Sequence, residues 1–103
     1  MSAEDAAPDA GGAEGSVAAP AFPLQEYLGF TIERGEGRAS ASLVLDARHM
    51  NPNAVSHGAV AFTLMDTAMG AAVMSAVDEG CYCATVEIHT RFHRTVSEGR
   101  LTA

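Results

Sequence analysis

Asp66 stands near the centre of Ala59–Val77, a helix-length stretch in which Thr63, Thr67 and Ser75 are the only other polar side chains. No Lys or Arg lies between Arg48 and Arg91, so the segment supplies no cation to offset the several kcal/mol that burying an ionised carboxylate typically costs. The carboxyl is therefore protonated, or reaches water, or is held for chemistry. Eight residues upstream, Gly58 stands where the loop Asn51-Pro52-Asn53-Ala54-Val55-Ser56-His57 enters the same stretch. Its amide is one of the unpaired N–H groups of a helix N-terminus, where the dipole favours negative charge. Such an amide can polarise a carbonyl, and the missing side chain lets a substrate approach the backbone closely. A donor aimed at a developing oxyanion is worth ~3–4 kcal/mol of barrier.

Each of these residues also has a plainer reading. The apolar run approaches the ~20 residues of a membrane span, but it is mostly Ala, Gly, Met and Val, and its flanks carry no cluster of Lys or Arg. An Asp at mid-helix would also cost a spanning segment ~2.5–3.5 kcal/mol. A buried helix whose Asp caps a neighbouring loop or pairs with a distant Arg is the simpler structural alternative. Taken singly, His57 reads as a structural histidine at a helix start and Asn51 as a turn residue.

The elements that must position these groups follow from pattern. Phe22–Gly29 predicts a short helix, with Pro23 near its start and Gly29 closing it. Phe30–Glu33 and Ala39–Leu45 read as strands of a hairpin turned at Gly35-Glu36-Gly37, with Ala39, Ala41, Leu43 and Leu45 on one face. An irregular loop over Arg48–Ser56 leads to a helix from Ser56 or His57 to about Val77, with Ser56 as N-cap and Gly80 as the stop. Apolar residues run almost all the way round that helix, which implies enclosure by a curved sheet or by partners. Tyr82–Val96 is a long strand candidate, and Arg100–Ala103 begins another.

Composition bounds the rest. The 103 residues make at most one domain. Residues 1–21 read as an acidic, Ala- and Gly-rich disordered leader, without the Lys, Arg or apolar core of a targeting peptide, so the domain spans 22–103 and the expected location is cytoplasmic. A formal net charge of −7 without a single lysine argues against nucleic acid. An anionic substrate would have to be met by local arginines and helix amides. Cys81 and Cys83 fit neither a disulfide framework nor a four-ligand zinc site and are read as reduced, buried thiols. His89 and His93, four apart on a strand, would stand ~13 Å apart, too far to share a metal. Neither a metal nor a cofactor is expected.

Asn51, His57-Gly58 and Leu64-Met65-Asp66-Thr67-Ala68 followed by Gly70, with Ala84-Thr85-Val86-Glu87-Ile88-His89, Arg94, Ser97-Glu98-Gly99 and Leu101-Thr102-Ala103, resemble the signature of the hotdog-fold acyl-CoA thioesterases of the phenylacetic-acid-pathway type. The resemblance runs from Leu24 to Ala103 and implies an α+β hotdog fold, a long central helix wrapped by an antiparallel sheet. It further implies two subunits that build active sites at their interface, within a homodimer or homotetramer. By position, Asp66 would be the catalytic carboxylate, attacking the thioester carbonyl or activating water. Gly58 would supply the oxyanion amide, His57 would shape the loop, Asn51 would orient water or the thioester, and Thr85 would stand beside the reaction centre. Asp66 and Thr85 would come from one subunit, and Asn51, His57 and Gly58 from the other.

Thioester hydrolysis needs a base or nucleophile, a carbonyl polariser and a water positioner, but no metal. Partial burial would make the carboxylate a stronger base. Ala59 and Thr95 replace a Gly and a Pro usual in the family, away from that chemistry. The family also has strands beyond the one starting at Arg100, so the chain is expected to be truncated, with an unpaired sheet edge. A hotdog dehydratase would carry a different His-centred loop. A non-catalytic acyl-CoA-binding or assembly module of the same fold is the alternative from another class.

Overall fold

The structure, a computed structural model, describes residues 20–103. The leader expected over residues 1–21 lies outside the described residues except for its last two. Helix α1, Pro23–Leu28, begins on its proline and closes on Gly29, whose left-handed backbone (φ 77°) directs its N–H to the Gln25 carbonyl at 2.7 Å. The Gln25 side chain then donates to the Phe30 carbonyl at 3.1 Å and hands the chain into strand β1, Thr31–Gly35.

A two-residue turn at Glu36-Gly37, with Gly37 at φ 72°, leads into β2, Arg38–Val44. The register places Thr31 opposite Ser42 and Gly35 opposite Arg38. Strand β3, Arg100–Thr102, pairs antiparallel with the other edge of β2, with Leu43 opposite Leu101, so the sheet runs β1-β2-β3. Helix α2, Gly58–Met74, lies against this sheet. This long helix on an antiparallel sheet is the hotdog arrangement.

The core forms where the two layers meet. Ala41, Leu43 and Leu45 alternate along β2 and its exit, and they meet Val60, Leu64 and Ala68, which recur every four residues on one helix face, with Phe30 and Leu101 at the margins. Leu64 is fully buried at the centre. Leu64→Ala is expected to lower unfolding free energy by about 2–5 kcal/mol, read as an earlier urea midpoint at unchanged slope. A loss under 1 kcal/mol would mean that the helix–sheet seam is not what holds the fold.

Four expectations are corrected. The N-cap is His57 rather than Ser56, because the His57 Nδ1 accepts the Ala59 N–H at 2.9 Å. The Ser56 hydroxyl is instead buried with no partner among the described residues. Helix α2 ends at Met74, not near Val77. The Ser75 hydroxyl donates to the Ala72 carbonyl and accepts the Gly37 N–H, both at 2.7 Å, which pins the helix end to the hairpin turn. Gly80, left-handed at φ 89°, therefore falls in a turn after the helix has already stopped.

The third correction concerns Tyr82–Val96, which joins no ladder among the described residues. Alternation reports two unlike faces, whereas a strand also needs a neighbouring backbone to bond. The segment instead runs back along α2, with the Cys83 thiol near the Gly70 carbonyl, Thr85 on Asp66 and Phe92 against Gly58. The fourth follows from it: Cys81 and Cys83 are free but exposed, not buried. Helix α2 also buries only its sheet-facing side deeply, leaving Phe62, Met69, Val73 and Met74 exposed. No described helix is long and apolar enough to cross a membrane.

Candidate active site

The loop into α2 is built by local hydrogen bonds. Asp46 caps a 3-10 turn, Ala47–His49, by accepting the Arg48 N–H at 3.1 Å, and it also accepts the Arg48 guanidinium at 3.2 Å. Desolvation pushes the Asp46 carboxyl up, but the Arg48 amide and guanidinium outweigh it and hold the group below its ordinary value. Asn51 then turns the chain, its Oδ1 accepting the Asn53 N–H at 2.8 Å and the Val55 N–H at 3.3 Å. Ala54 takes a left-handed backbone, φ 63°, a strained conformation for a residue with a Cβ, and Met50 and Ser56 close the loop as an antiparallel bridge.

At the junction with the helix, consecutive amides are spoken for in turn. The Ser56 N–H donates to the Val96 carbonyl (2.7 Å), His57 to the His49 carbonyl (2.8 Å), Ala59 to the His57 Nδ1 (2.9 Å) and Val60 to the His57 carbonyl (2.9 Å). The Gly58 N–H, in their midst, has no acceptor among the described residues. The His57 ring accepts at Nδ1, so its neutral form carries the proton on Nε2.

Asn51, His57 and Gly58 line one cleft of 610 Å³, together with Met65, Phe92 and Leu101. Arg91, His93 and Arg94 also border it, and no carboxylate does. Neither arginine has an ion-pair partner among the described residues. This is the local basic environment that an anionic substrate needs in a chain of net charge −7.

Asp66 belongs to a different face. It follows the fully buried Leu64 by two residues, about 200° round the helix, and so points away from the sheet. It is half-buried, and the Thr85 hydroxyl donates to its Oδ1. No cation pairs with it among the described residues. Asp66 lines neither the cleft at Gly58 nor a second one of 680 Å³ bordered by Met65, Met69, Ile88 and His89.

The five residues singled out from sequence therefore fall into two groups. Asp66 and Thr85 touch, and Asn51, His57 and Gly58 share a cleft, but eight helical residues, about 12 Å of rise, separate Gly58 from Asp66. One chain does not bring the carboxylate to the free amide. Sequence reasoning missed two neighbours of the second group. Phe92 lays its ring over Gly58, 3.2 Å from where a Cβ would stand, and its signal was an aromatic residue between Arg91 and His93. His49 underlies the loop, and nothing in its spacing marked it. Among the described residues, no three His, Cys, Asp or Glu side chains converge as a metal site.

Comparison with known proteins bears on this geometry. The family model of the thioesterase superfamily matches residues 53–103, which carry His57, Gly58, Asp66 and Thr85 but not Asn51. A conserved protein of Pseudomonas aeruginosa superposes with a TM-score of 0.74 at 29% identity, over 80% of this chain and 66% of that one. A thioesterase from Haemophilus influenzae superposes at 0.70 with 30% identity, over 77% and 56% of the two chains. A phenylacetic acid degradation-related protein of Ralstonia eutropha, at 0.68 and 23% identity over 82% and 66%, shares the fold. No curated protein matches the chain. The chain thus spans 66%, 56% and 66% of the lengths of these three structures.

Proposed function

We propose that this chain, which has the hotdog fold and matches the thioesterase superfamily over residues 53–103, hydrolyses an acyl-CoA thioester to the free acid and coenzyme A. The observation that carries the reading is the Gly58 amide, which has no acceptor among the described residues, at the head of the helix that also holds Asp66. Backbone groups in folded proteins are almost always paired, so a free N–H in a line of satisfied ones is available to a ligand. Placed against the thioester oxygen, it would stabilise the charge that develops as the carbonyl is attacked.

Asp66 supplies the attacking group in this reading. As nucleophile, its carboxylate adds to the acyl carbon, the C–S bond breaks, coenzyme A leaves as thiolate, and water then hydrolyses the mixed anhydride. As general base, it takes a proton from the water that attacks directly. The Thr85 hydroxyl holds one carboxylate oxygen and leaves the other for either task. Asn51, whose Oδ1 is engaged in its own turn, has its amide nitrogen left to orient water or the thioester.

The two groups complete one another only if a second copy brings its Asp66 and Thr85 to the first copy's Asn51, His57 and Gly58. The 12 Å rise and the uncovered apolar residues of α2 support that homo-oligomeric arrangement. The test is thiol release from a panel of acyl-CoA esters by the full chain. Turnover on at least one ester is expected. A folded chain that binds the esters and releases no thiol would replace this reading by the binding module.

A further inference from the structure

We propose that His49 is a positioning residue for the Gly58 amide, an inference that rests on the thioesterase reading for its kinetic consequence but not for its geometry. His49 is 1% exposed, one of the two largest fully buried side chains, and it belongs to none of the groups assigned above. Both ring nitrogens are used. Nδ1 accepts the Asp46 N–H at 2.9 Å, which leaves the proton on Nε2, and Nε2 meets the Leu28 carbonyl at 2.7 Å. The ring thus clamps the end of α1 to the start of the site loop, two segments about twenty residues apart in sequence.

The clamp reaches the site through one backbone bond. With its ring held at both ends and its backbone in the 3-10 turn, His49 has a fixed carbonyl, and that carbonyl accepts the His57 N–H at 2.8 Å. On its other side, His57 is held by its own carbonyl to the Val60 N–H and by its Nδ1 to the Ala59 N–H. A trans peptide points its C=O and N–H in opposite directions, so fixing the His57 carbonyl fixes the direction of the Gly58 N–H. Of these three restraints, two are internal to the first helical turn. Of the three, only the bond to His49 ties that turn to the earlier part of the chain.

His49→Phe keeps an aromatic ring and removes both ring hydrogen bonds. His49→Gln retains a terminal donor for the Leu28 carbonyl and loses the acceptor for Asp46. Both full-length variants are compared with the parent by thiol release and by the amide resonance of Gly58 in a nitrogen–proton correlation spectrum. The expected result for His49→Phe is a kcat lower by about 10–100-fold with KM within about twofold, and a displaced Gly58 resonance while those of the β1–β2 hairpin stay in place. His49→Gln should fall between this variant and the parent on both readouts.

Lower melting temperatures with parental kcat and an unmoved Gly58 resonance would overturn the proposal and leave His49 a structural residue. If His49→Phe does not fold, His49→Gln decides by the same two readouts. If the parent releases no thiol, the function reading fails by itself. The Gly58 resonance then still decides this one, with displacement supporting it and constancy overturning it.

Discussion

Asp66→Asn is expected to lower turnover by about 10²–10⁴-fold while the fold and ligand binding persist. The amide is isosteric with the carboxylate, and its oxygen can still accept the Thr85 hydroxyl, so the one contact that Asp66 makes to the neighbouring segment survives. What is lost is basicity and nucleophilicity. Because no cation pairs with Asp66 among the described residues, removing its charge strands no partner, and the melting temperature should not drop. Thiol release and a thermal scan on the same sample check both halves. A variant with parental turnover would remove Asp66 from the chemistry. Hydrolysis in heavy-oxygen water under single-turnover conditions then tests the nucleophilic role in the parent: label entering the Asp66 carboxylate shows that an anhydride on Asp66 formed and that water opened it at the Asp66 carbonyl.

The second large effect belongs to Gly58→Pro, also about 10²–10³-fold in kcat. Proline at the first position of a helix keeps the helical backbone and deletes one N–H, here an N–H that has no acceptor among the described residues. The preceding residue is already suited to it, since His57 at φ −66° and ψ 136° lies where residues before proline are confined. The new Cβ would meet the Phe92 ring at 3.2 Å, so Gly58→Ala serves as the control, bringing the same crowding but keeping the amide. Equal losses in the two variants would assign the effect to Phe92 rather than to the donor. Mixing Gly58→Pro with Asp66→Asn adds a second reading. If the two groups come from different copies, random pairing restores about a quarter of parental activity in a mixture of two inactive proteins. If each site lies within one chain, nothing returns.

Much of this was legible in the residues. The alternation Ala41, Leu43, Leu45 and the Gly-closed turn determined the hairpin, and the isolated carboxylate in an apolar helix marked Asp66 as a residue needing a purpose. These are local patterns, and local patterns survive into structure. What was not legible depended on partners remote in sequence. Tyr82–Val96 has the period of a strand, yet pairing is decided by another backbone, and none is beside it among the described residues. The helix end was misplaced by three residues because Ser75 is caught by the hairpin turn at Gly37, a contact across 38 positions. Ser56 and His57 are both able to cap, and the choice went to the imidazole because the Ser56 backbone is committed to Val96. His49 was silent for the same reason, since its significance lies in Leu28 and Asp46 rather than in its own neighbours.

The separation of Gly58 from Asp66 along one rigid helix has a consequence for how such a catalyst behaves in solution. If each helix lends its head to one site and its middle to another, a lone chain owns two halves and no whole. Activity per molecule then depends on how many molecules are present, and dilution acts as an inhibitor that needs no binding site. Below the dissociation constant of the pair, rate falls with the square of protein concentration rather than in proportion to it. The same chain would then be a catalyst when abundant and a bystander when scarce, without any change in its fold.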